Sequence, residues 1–140
     1  MNSTEENRRL IVGILAELER GNPDPFYDAL ADNVRWCTPG RSVWSRTFDG
    51  KSAVLDELLA HVHAQFVDGI RLTLRTIIAD GDRVAVEATG QAMTTSGKPY
   101  NNEYCFVYRI ADGKIVELVE YMDTHLASTL LRPPWVPVEP

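Results

Sequence analysis

The sequence predicts an α+β domain, in which helices from the first half of the chain cover one face of a mostly antiparallel sheet formed by the second half. Up to about residue 66, apolar residues recur at the three- and four-residue spacing of helices. From residue 70 onward they alternate with polar residues, and Gly-containing turns separate the segments. The 140 residues fit one domain, which we expect at 1–131, followed by an extended, Pro-rich tail at 132–140.

Three helices are expected in the first half. The first helix starts near Ser3 or Thr4, either of which can cap it, and stops at the Gly-Asn-Pro sequence of 21–23. Ser52 is a suitable cap for the third helix. The apolar faces of the three helices, in order, are Leu10, Ile11, Ile14, Leu15 and Leu18; Phe26, Tyr27 and Leu30; and Val54, Leu55, Leu58, Leu59, Val62 and Phe66.

A short strand is expected at 34–38, before an irregular loop at 40–50. Four longer strands follow at 70–79, 83–95, 100–110 and 115–123. Strand alternation places these residues of the first long strand on one face: Ile70, Leu72, Leu74, Thr76 and Ile78. In the last strand it places Val116, Leu118, Glu120 and Met122 on one face, and Ile115, Val119 and Tyr121 on the other.

Composition excludes several classes of function. The net charge of -6 argues against a nucleic-acid partner, because phosphate binding needs clustered basic residues. No apolar run is long enough to cross a membrane, and residues 1–10 lack the apolar core of a secretion signal, so we expect a cytoplasmic protein. Cys37 and Cys105 are expected to be free thiols. No metal-ligand spacing or phosphate-binding loop is present, so no metal and no cofactor are expected.

Three short segments carry a resemblance to a known family: Gly-Lys-Pro-Tyr-Asn-Asn-Glu-Tyr at 97–104, Asp-Gly-Lys-Ile at 112–115 and Glu-Tyr-Met-Asp at 120–123. With the order of elements, they resemble the SnoaL-like branch of the ketosteroid isomerase superfamily, also called nuclear-transport-factor-2-like. The resemblance implies a cone-shaped α+β barrel that is dimeric through the outer face of its sheet. It also implies a pocket that different members use for isomerisation, cyclisation, epoxide hydrolysis, dehydration or binding alone.

The resemblance also implies catalytic positions, and most of them are not filled here. A ketosteroid isomerase would carry an aspartate near Thr38, a tyrosine near Ile14 and an acid near Phe106. None of the three is present, which argues against steroid isomerisation by that set of residues.

A limonene-epoxide hydrolase would carry an Arg and an Asp near Ala88 and Gly90 and an Asn near Cys37, and these are absent as well. Its last-strand aspartate falls on Glu120, where the phenazine-biosynthesis members of the superfamily similarly place a functional glutamate. Of the family's acidic positions, this one survives.

Glu120 stands out without the resemblance too, since its neighbours on one strand face are apolar. An ionised carboxylate in such surroundings must be paired, hydrated or raised in pKa. A glutamate that titrates near neutral pH is a suitable general acid or base. The alternative is a strand-end glutamate that reaches solvent or pairs with a structural arginine.

Other residues are candidates for the same pocket. Tyr104 and Asn102 share a strand face and would orient an oxygen atom of the ligand, and His63 on the third helix would assist proton transfer. Each has a structural alternative, such as a Tyr104 packed in the core. Candidate apolar wall residues are Trp36, Val86, Phe106, Leu118 and Met122. In the 40–50 loop, Arg41, Trp44 and Arg46 would cover the pocket and hold an acidic group, or be solvated.

The sequence therefore favours an enzyme that uses acid/base chemistry on a small hydrophobic carbonyl, hydroxyl or epoxide compound, with Glu120, His63 and Tyr104 as catalytic residues. The alternatives are a protein that binds the compound without turnover and a dimerisation domain. Apolar residues on the opposite sheet face indicate a homodimer interface: Ile115, Val119, Tyr121, Cys105 and Val107.

Overall fold

The computed structural model describes residues 3–136 and confirms the predicted α+β class. The first two helices are α1 (Thr4–Glu19) and α2 (Asp24–Ala29). The hydroxyl of Ser3 accepts the amide proton of Glu6 at 3.0 Å, so the predicted cap is present. Leu30, which we predicted on the second helix, is instead the first residue of a strand.

Within residues 3–136, seven strands form one curled sheet. They are β1 (Leu30–Cys37), β2 (Thr47–Asp49), β3 (Phe66–Asp80), β4 (Arg83–Thr94), β5 (Pro99–Tyr100), β6 (Glu103–Ala111) and β7 (Lys114–Met122). The strand order is β2-β1-β7-β6-β4-β3, with β5 beside β4. All neighbours are antiparallel except β1 and β7, which are parallel. The 40–50 segment, predicted to be irregular throughout, contains β2.

One helical region connects β2 to β3. It consists of α3 (Lys51–Ala53), a π-helical segment (Val54–Leu59) and α4 (Ala60–His63). Ser52 is not its cap, because the helix begins one residue earlier, after Gly50, whose φ of 96° favours glycine. Phe66, predicted on this helix, begins β3 instead. A further helix that we did not predict, α5 (Thr124–Leu130), is capped by Asp123.

Two irregularities in the strand pairing change which residues face the core. The register of β3 against β4 shifts between Leu74 and Thr76, so Ile77 becomes half-buried and Ile78 is 67% exposed. The prediction that Thr76 and Ile78 share one face with the preceding apolar residues of this strand is therefore wrong.

A second shift, between Arg109 and Ile110 in the β6–β7 pairing, buries Ile115 completely. We had predicted Ile115 on the outer face and Val116 on the inner one. Leu118, Glu120 and Met122, beyond the shift, keep the predicted face.

The core lies between the helices and the concave face of the sheet. Residues of α1 such as Ile11 and Leu15 pack there with the inner residues of β4, including Val84 and Val86. No helix in residues 3–136 is long and apolar enough to span a membrane. Cys37 and Cys105 are both free and half-buried.

The described part of the tail packs on the domain. The indole nitrogen of Trp135 donates to the carbonyl oxygen of Val43 at 2.9 Å, and its ring contacts those of Trp44 and Phe48 at centroid distances of 5.6 Å. Residues 137–140 of the expected tail lie outside the described residues.

On the convex face, one residue from each of five neighbouring strands forms a continuous line that we call the apolar row: Cys37, Val119, Val107, Ala85 and Ile78. The adjacent line is charged, since Glu117 there contacts Arg83 at 3.6 Å and Arg109 at 3.9 Å.

Candidate active site

A cavity of about 260 Å³ lies between the concave face of the sheet and the helices. It is close to the lower end of the size range of pockets that bind small organic molecules. Its lining is mainly apolar and includes aromatic rings from several elements: Phe26, Trp36, Phe66, Tyr104, Phe106 and Tyr108.

Seven of the nine predicted site residues line this cavity: Glu120, His63, Tyr104, Trp36, Phe106, Leu118 and Met122. Val86 does not, because it is completely buried in the core. Asn102 does not line it either.

Glu120 supplies a carboxyl group to the cavity. Alternation along β7 turns its side chain to the concave face, between Leu118 and Met122. Burial raises its pKa from 4.5 to about 7, and the hydrogen bond from Thr38 and the nearby Trp36 indole offset only part of that effect. Within residues 3–136 no cationic side chain forms an ion pair with it. In its described residues, the structure therefore does not contain the ion pair between Glu120 and an arginine that the alternative interpretation expects.

Two residues of the neighbouring β1 region approach this carboxyl group. The hydroxyl of Thr38 donates to Oε1 of Glu120 at 3.1 Å. Nε1 of Trp36 lies close enough to the carboxyl group to lower its pKa, but it is outside hydrogen-bond geometry with Glu120 and with every other described residue. Thr38 was not among our predicted site residues, although alternation places it on the same strand face as Trp36.

An aromatic wall faces the carboxyl group from β6. The rings of Tyr104 and Phe106 are stacked with an interplanar angle of 12° and centroids 5.0 Å apart. Burial raises the pKa of Tyr104 well above its ordinary value, and it raises that of Tyr108 as well. These phenols are neutral at physiological pH and can donate hydrogen bonds.

His63 lies on the helical side of the cavity. Its Nδ1 is 3.5 Å from the hydroxyl of Tyr27, and desolvation lowers its pKa, so the ring is neutral at pH 7. No hydrogen bond joins His63 to Glu120 in the part of the chain that the structure describes.

The side chain of Asn102 is hydrogen-bonded within the protein scaffold. Its amide nitrogen donates to the Tyr100 hydroxyl at 2.8 Å and to the Asp123 carbonyl at 3.1 Å. Its oxygen accepts the backbone protons of Glu103 and Asp123 at 2.7 and 3.1 Å. These bonds use the amide to join the ends of β5, β6 and β7, so it is not free to orient a ligand oxygen.

The 40–50 loop contributes an indole instead of a cation. Trp44 lines the cavity and donates to the Ala127 carbonyl at 3.3 Å. The guanidinium of Arg46 lies 4.6 Å from the centre of the Trp135 ring, outside the cavity. Arg41 does not line it either. Of the two alternatives for these arginines, the structure therefore favours solvated side chains, since both are exposed.

Among the described residues, no cluster of His, Cys, Asp and Glu has an arrangement that would hold a metal ion. The carboxyl group of Glu120, the hydroxyl of Thr38 and the indole N–H of Trp36 lie in mainly apolar surroundings. Together they can move a proton or hold an oxygen atom of a small molecule.

Comparisons with known proteins agree with this architecture. The family model described as "SnoaL-like domain" matches residues 11–118. A search of curated proteins finds no match. The chain is similar to the structure of Bal32a from a soil-derived mobile gene cassette, with 20% identity over 94% of this chain and 100% of the other, and a TM-score of 0.79.

Two further structures carry more specific descriptions. TerC, co-crystallised with polyporic acid, is 26% identical over 89% of this chain and 96% of its own, with a TM-score of 0.73. An epoxide hydrolase from M. tuberculosis, of the LEH-like type, is 23% identical over 91% and 90% of the two chains, with a TM-score of 0.68.

Proposed function

Since this chain belongs to the SnoaL-like domain family, whose model matches most of it, we propose that it is an enzyme that uses Glu120 as a general acid or base on a small hydrophobic compound with a carbonyl, hydroxyl or epoxide group. The observation that carries the proposal is the position of Glu120, a carboxyl group inside an apolar cavity with a pKa of about 7. Such a group exchanges protons efficiently at physiological pH because both of its forms are populated.

The neighbouring residues supply the other parts of the mechanism. On a ketone, the carboxylate would take a proton from the carbon next to the carbonyl group. The C–H electron pair would form the C=C bond of the enolate, and the π electrons of the C=O bond would move onto oxygen. Thr38 fixes one carboxyl oxygen through its hydrogen bond. Tyr104 and Phe106 would form the wall against which a flat ligand lies, and His63, neutral at this pH, is a candidate second proton carrier.

Proton exchange into a model ketone tests this proposal directly. We expect the protein to catalyse hydrogen–deuterium exchange at the carbon next to the carbonyl of α-tetralone in D₂O, followed by NMR. The rate should rise with pH through about 7, because the carboxylate is the base, and level off above it.

Glu120→Gln should remove this exchange, whereas Glu87→Gln, an exposed glutamate on β4, should retain it. An unchanged exchange rate in Glu120→Gln would show that the assignment is wrong.

A ligand-binding protein without turnover is the second candidate. It is favoured by the position of Asn102, since the amide that would orient a substrate oxygen is used by the scaffold. Saturable binding of α-tetralone with no exchange at any pH from 5 to 9 would favour this candidate.

We also propose that the chain forms a twofold homodimer through the convex sheet face. The apolar row crosses five strands, and Tyr121 beside it is 51% exposed. The adjacent charged line contains both signs, so a second copy turned by a twofold axis can place acidic residues opposite basic ones.

Light scattering should give a mass of about 31 kDa, twice the chain mass of 15.7 kDa. Tyr121→Asp should lower this to the monomer value, because it places a charge in the apolar face. Val43→Asp changes an exposed apolar residue outside the sheet and should leave the dimer intact. A monomeric wild-type protein at micromolar concentration would contradict the proposal.

A further inference from the structure

The indole N–H of Trp36 is an unpartnered donor in the wall of the cavity. The residue is 5% exposed, and its Nε1 has no acceptor within hydrogen-bond geometry among residues 3–136. The other two indoles are bonded, that of Trp44 to Ala127 and that of Trp135 to Val43. Buried donors almost always have a partner, so an acceptor from outside the chain, either a ligand atom or a water molecule, is expected at this N–H.

The surrounding residues hold the indole in place. Its ring meets that of Phe26 edge-on, with centroids 6.1 Å apart and an interplanar angle of 81°. Trp36 pairs with Leu118 on the neighbouring β7, two residues before Glu120, so the indole and the carboxyl group lie on the same side of the sheet.

Thr38 adds a constraint on the carboxyl group. Its hydroxyl donates to Oε1 of Glu120, so the proton of the neutral acid belongs on Oε2. The neutral carboxyl group and the indole then supply two donors to the same part of the cavity. A carbonyl oxygen has two lone pairs and no proton of its own, so it can accept both hydrogen bonds without adding a donor.

We propose that the indole N–H of Trp36 is the hydrogen-bond donor that selects ligands with an acceptor oxygen, and that it holds this oxygen next to the Glu120 carboxyl group. This inference rests on the proposed function, since it names the ligand chemistry of the same cavity. The expected ligand is an apolar, flat body with a carbonyl oxygen at one edge.

A matched pair of probes, α-tetralone and tetralin, tests the inference because the two differ only in that a CH₂ group of tetralin is a carbonyl group in α-tetralone. In a ¹⁵N-labelled sample the three tryptophans give three indole N–H signals. We expect α-tetralone to shift the Trp36 signal downfield, as hydrogen bonding does, and tetralin to leave it nearly unchanged. The signals of Trp44 and Trp135, already bonded within the protein, serve as internal controls.

Trp36→Phe supplies the binding test, because phenylalanine keeps an aromatic ring but lacks the N–H group. It should weaken α-tetralone binding about fivefold, the effect of one hydrogen bond, and leave tetralin binding unchanged. If this variant does not fold, the wild-type spectra alone decide the question.

The possible outcomes separate this inference from the proposed function. If α-tetralone shifts the methyl signals of the cavity residues Leu72 and Leu118 but not the Trp36 indole, the N–H is satisfied by water alone and the inference is wrong, while ligand binding stands. If neither probe shifts any cavity signal, both the inference and the proposed function are contradicted.

Discussion

At the scale of single residues, the buried Glu120 makes stability depend on pH. Its pKa is about 7 in the folded protein and about 4.5 in the unfolded chain, so the folded state binds the proton more tightly. The contribution of Glu120 to the free energy of unfolding is therefore most favourable below pH 4.5, and it is lost as the pH rises from 4.5 through about 7. Above pH 7 the ionised Glu120 lowers the free energy of unfolding by about 3 kcal/mol relative to low pH, since each pKa unit corresponds to about 1.4 kcal/mol.

Glu120→Gln should therefore raise the free energy of unfolding above pH 7 by up to about 3 kcal/mol and have little effect near pH 4. Urea unfolding at pH 4.5, 6 and 8 measures this difference, with Glu87→Gln as the exposed control. A stability gain that is the same at all three pH values would mean that Glu120 is not raised in pKa.

The sequence was sufficient to place Glu120 on the concave face of the sheet, because alternation beyond the register shift places it between two apolar residues. The sequence was not sufficient to show that the Asn102 side chain is hydrogen-bonded to the backbone of the sheet. The same pattern places Asn102 on the inner face, but its amide is used by the backbone of Glu103 and Asp123, which become neighbours only in the folded sheet. A hydrogen bond between residues 21 positions apart leaves no pattern in the sequence.

At the scale of elements, Gly90 on β4 fits against the aromatic wall. A Cβ atom there would lie 2.8 Å from Cε2 of Tyr104 and 2.9 Å from Cδ1 of Ile70. The Tyr104 ring is held by its stack on Phe106 and has little room to move. Gly90→Ala should destabilise the protein by about 1–3 kcal/mol, the usual effect of overpacking.

Gly13→Ala is the matched control for this change. Gly13 lies in α1 with nothing within 4 Å of the added methyl group, so alanine should stabilise the helix by about 0.5–1 kcal/mol. Urea unfolding of both variants gives the two values. If Gly90→Ala is as stable as wild type, the close approach of β4 to Tyr104 is not as tight as described.

The order of the main helices and strands was predictable because apolar periodicity persists through most of each element. It was not predictable which residues face the core in β3 near Ile78 and in β7 near Ile115. A register shift lies in each strand, and one extra residue inverts the alternation from that point. The short strand β2 was missed as well, because three residues are too few to show a period.

At the scale of the whole molecule, Trp135 attaches the tail to the domain. It contacts Trp44, Phe48 and Arg46, and Trp44 in turn lines the cavity. Trp135→Ala should lower the free energy of unfolding by about 1–3 kcal/mol through the loss of aromatic and cation–π contacts. It should also speed amide hydrogen exchange in the 40–46 loop.

Val136→Ala, in the same tail, is the control for this change and should have a smaller effect on both measurements. Equal stability of Trp135→Ala and the wild type would mean that the tail contacts contribute nothing to the domain.

The parallel pairing of β1 with β7 determines when the site can form. β1 ends at Cys37 and β7 begins at Lys114, so the two strands come from opposite ends of the domain. During synthesis the ribosome releases β1 long before β7, and loop closure over this distance is slow. Until β7 docks, Trp36 and Thr38 have no carboxyl group beside them. The Thr38–Glu120 hydrogen bond is thus a marker of completed folding, and we expect ligand binding to appear only in chains that have been synthesised through β7.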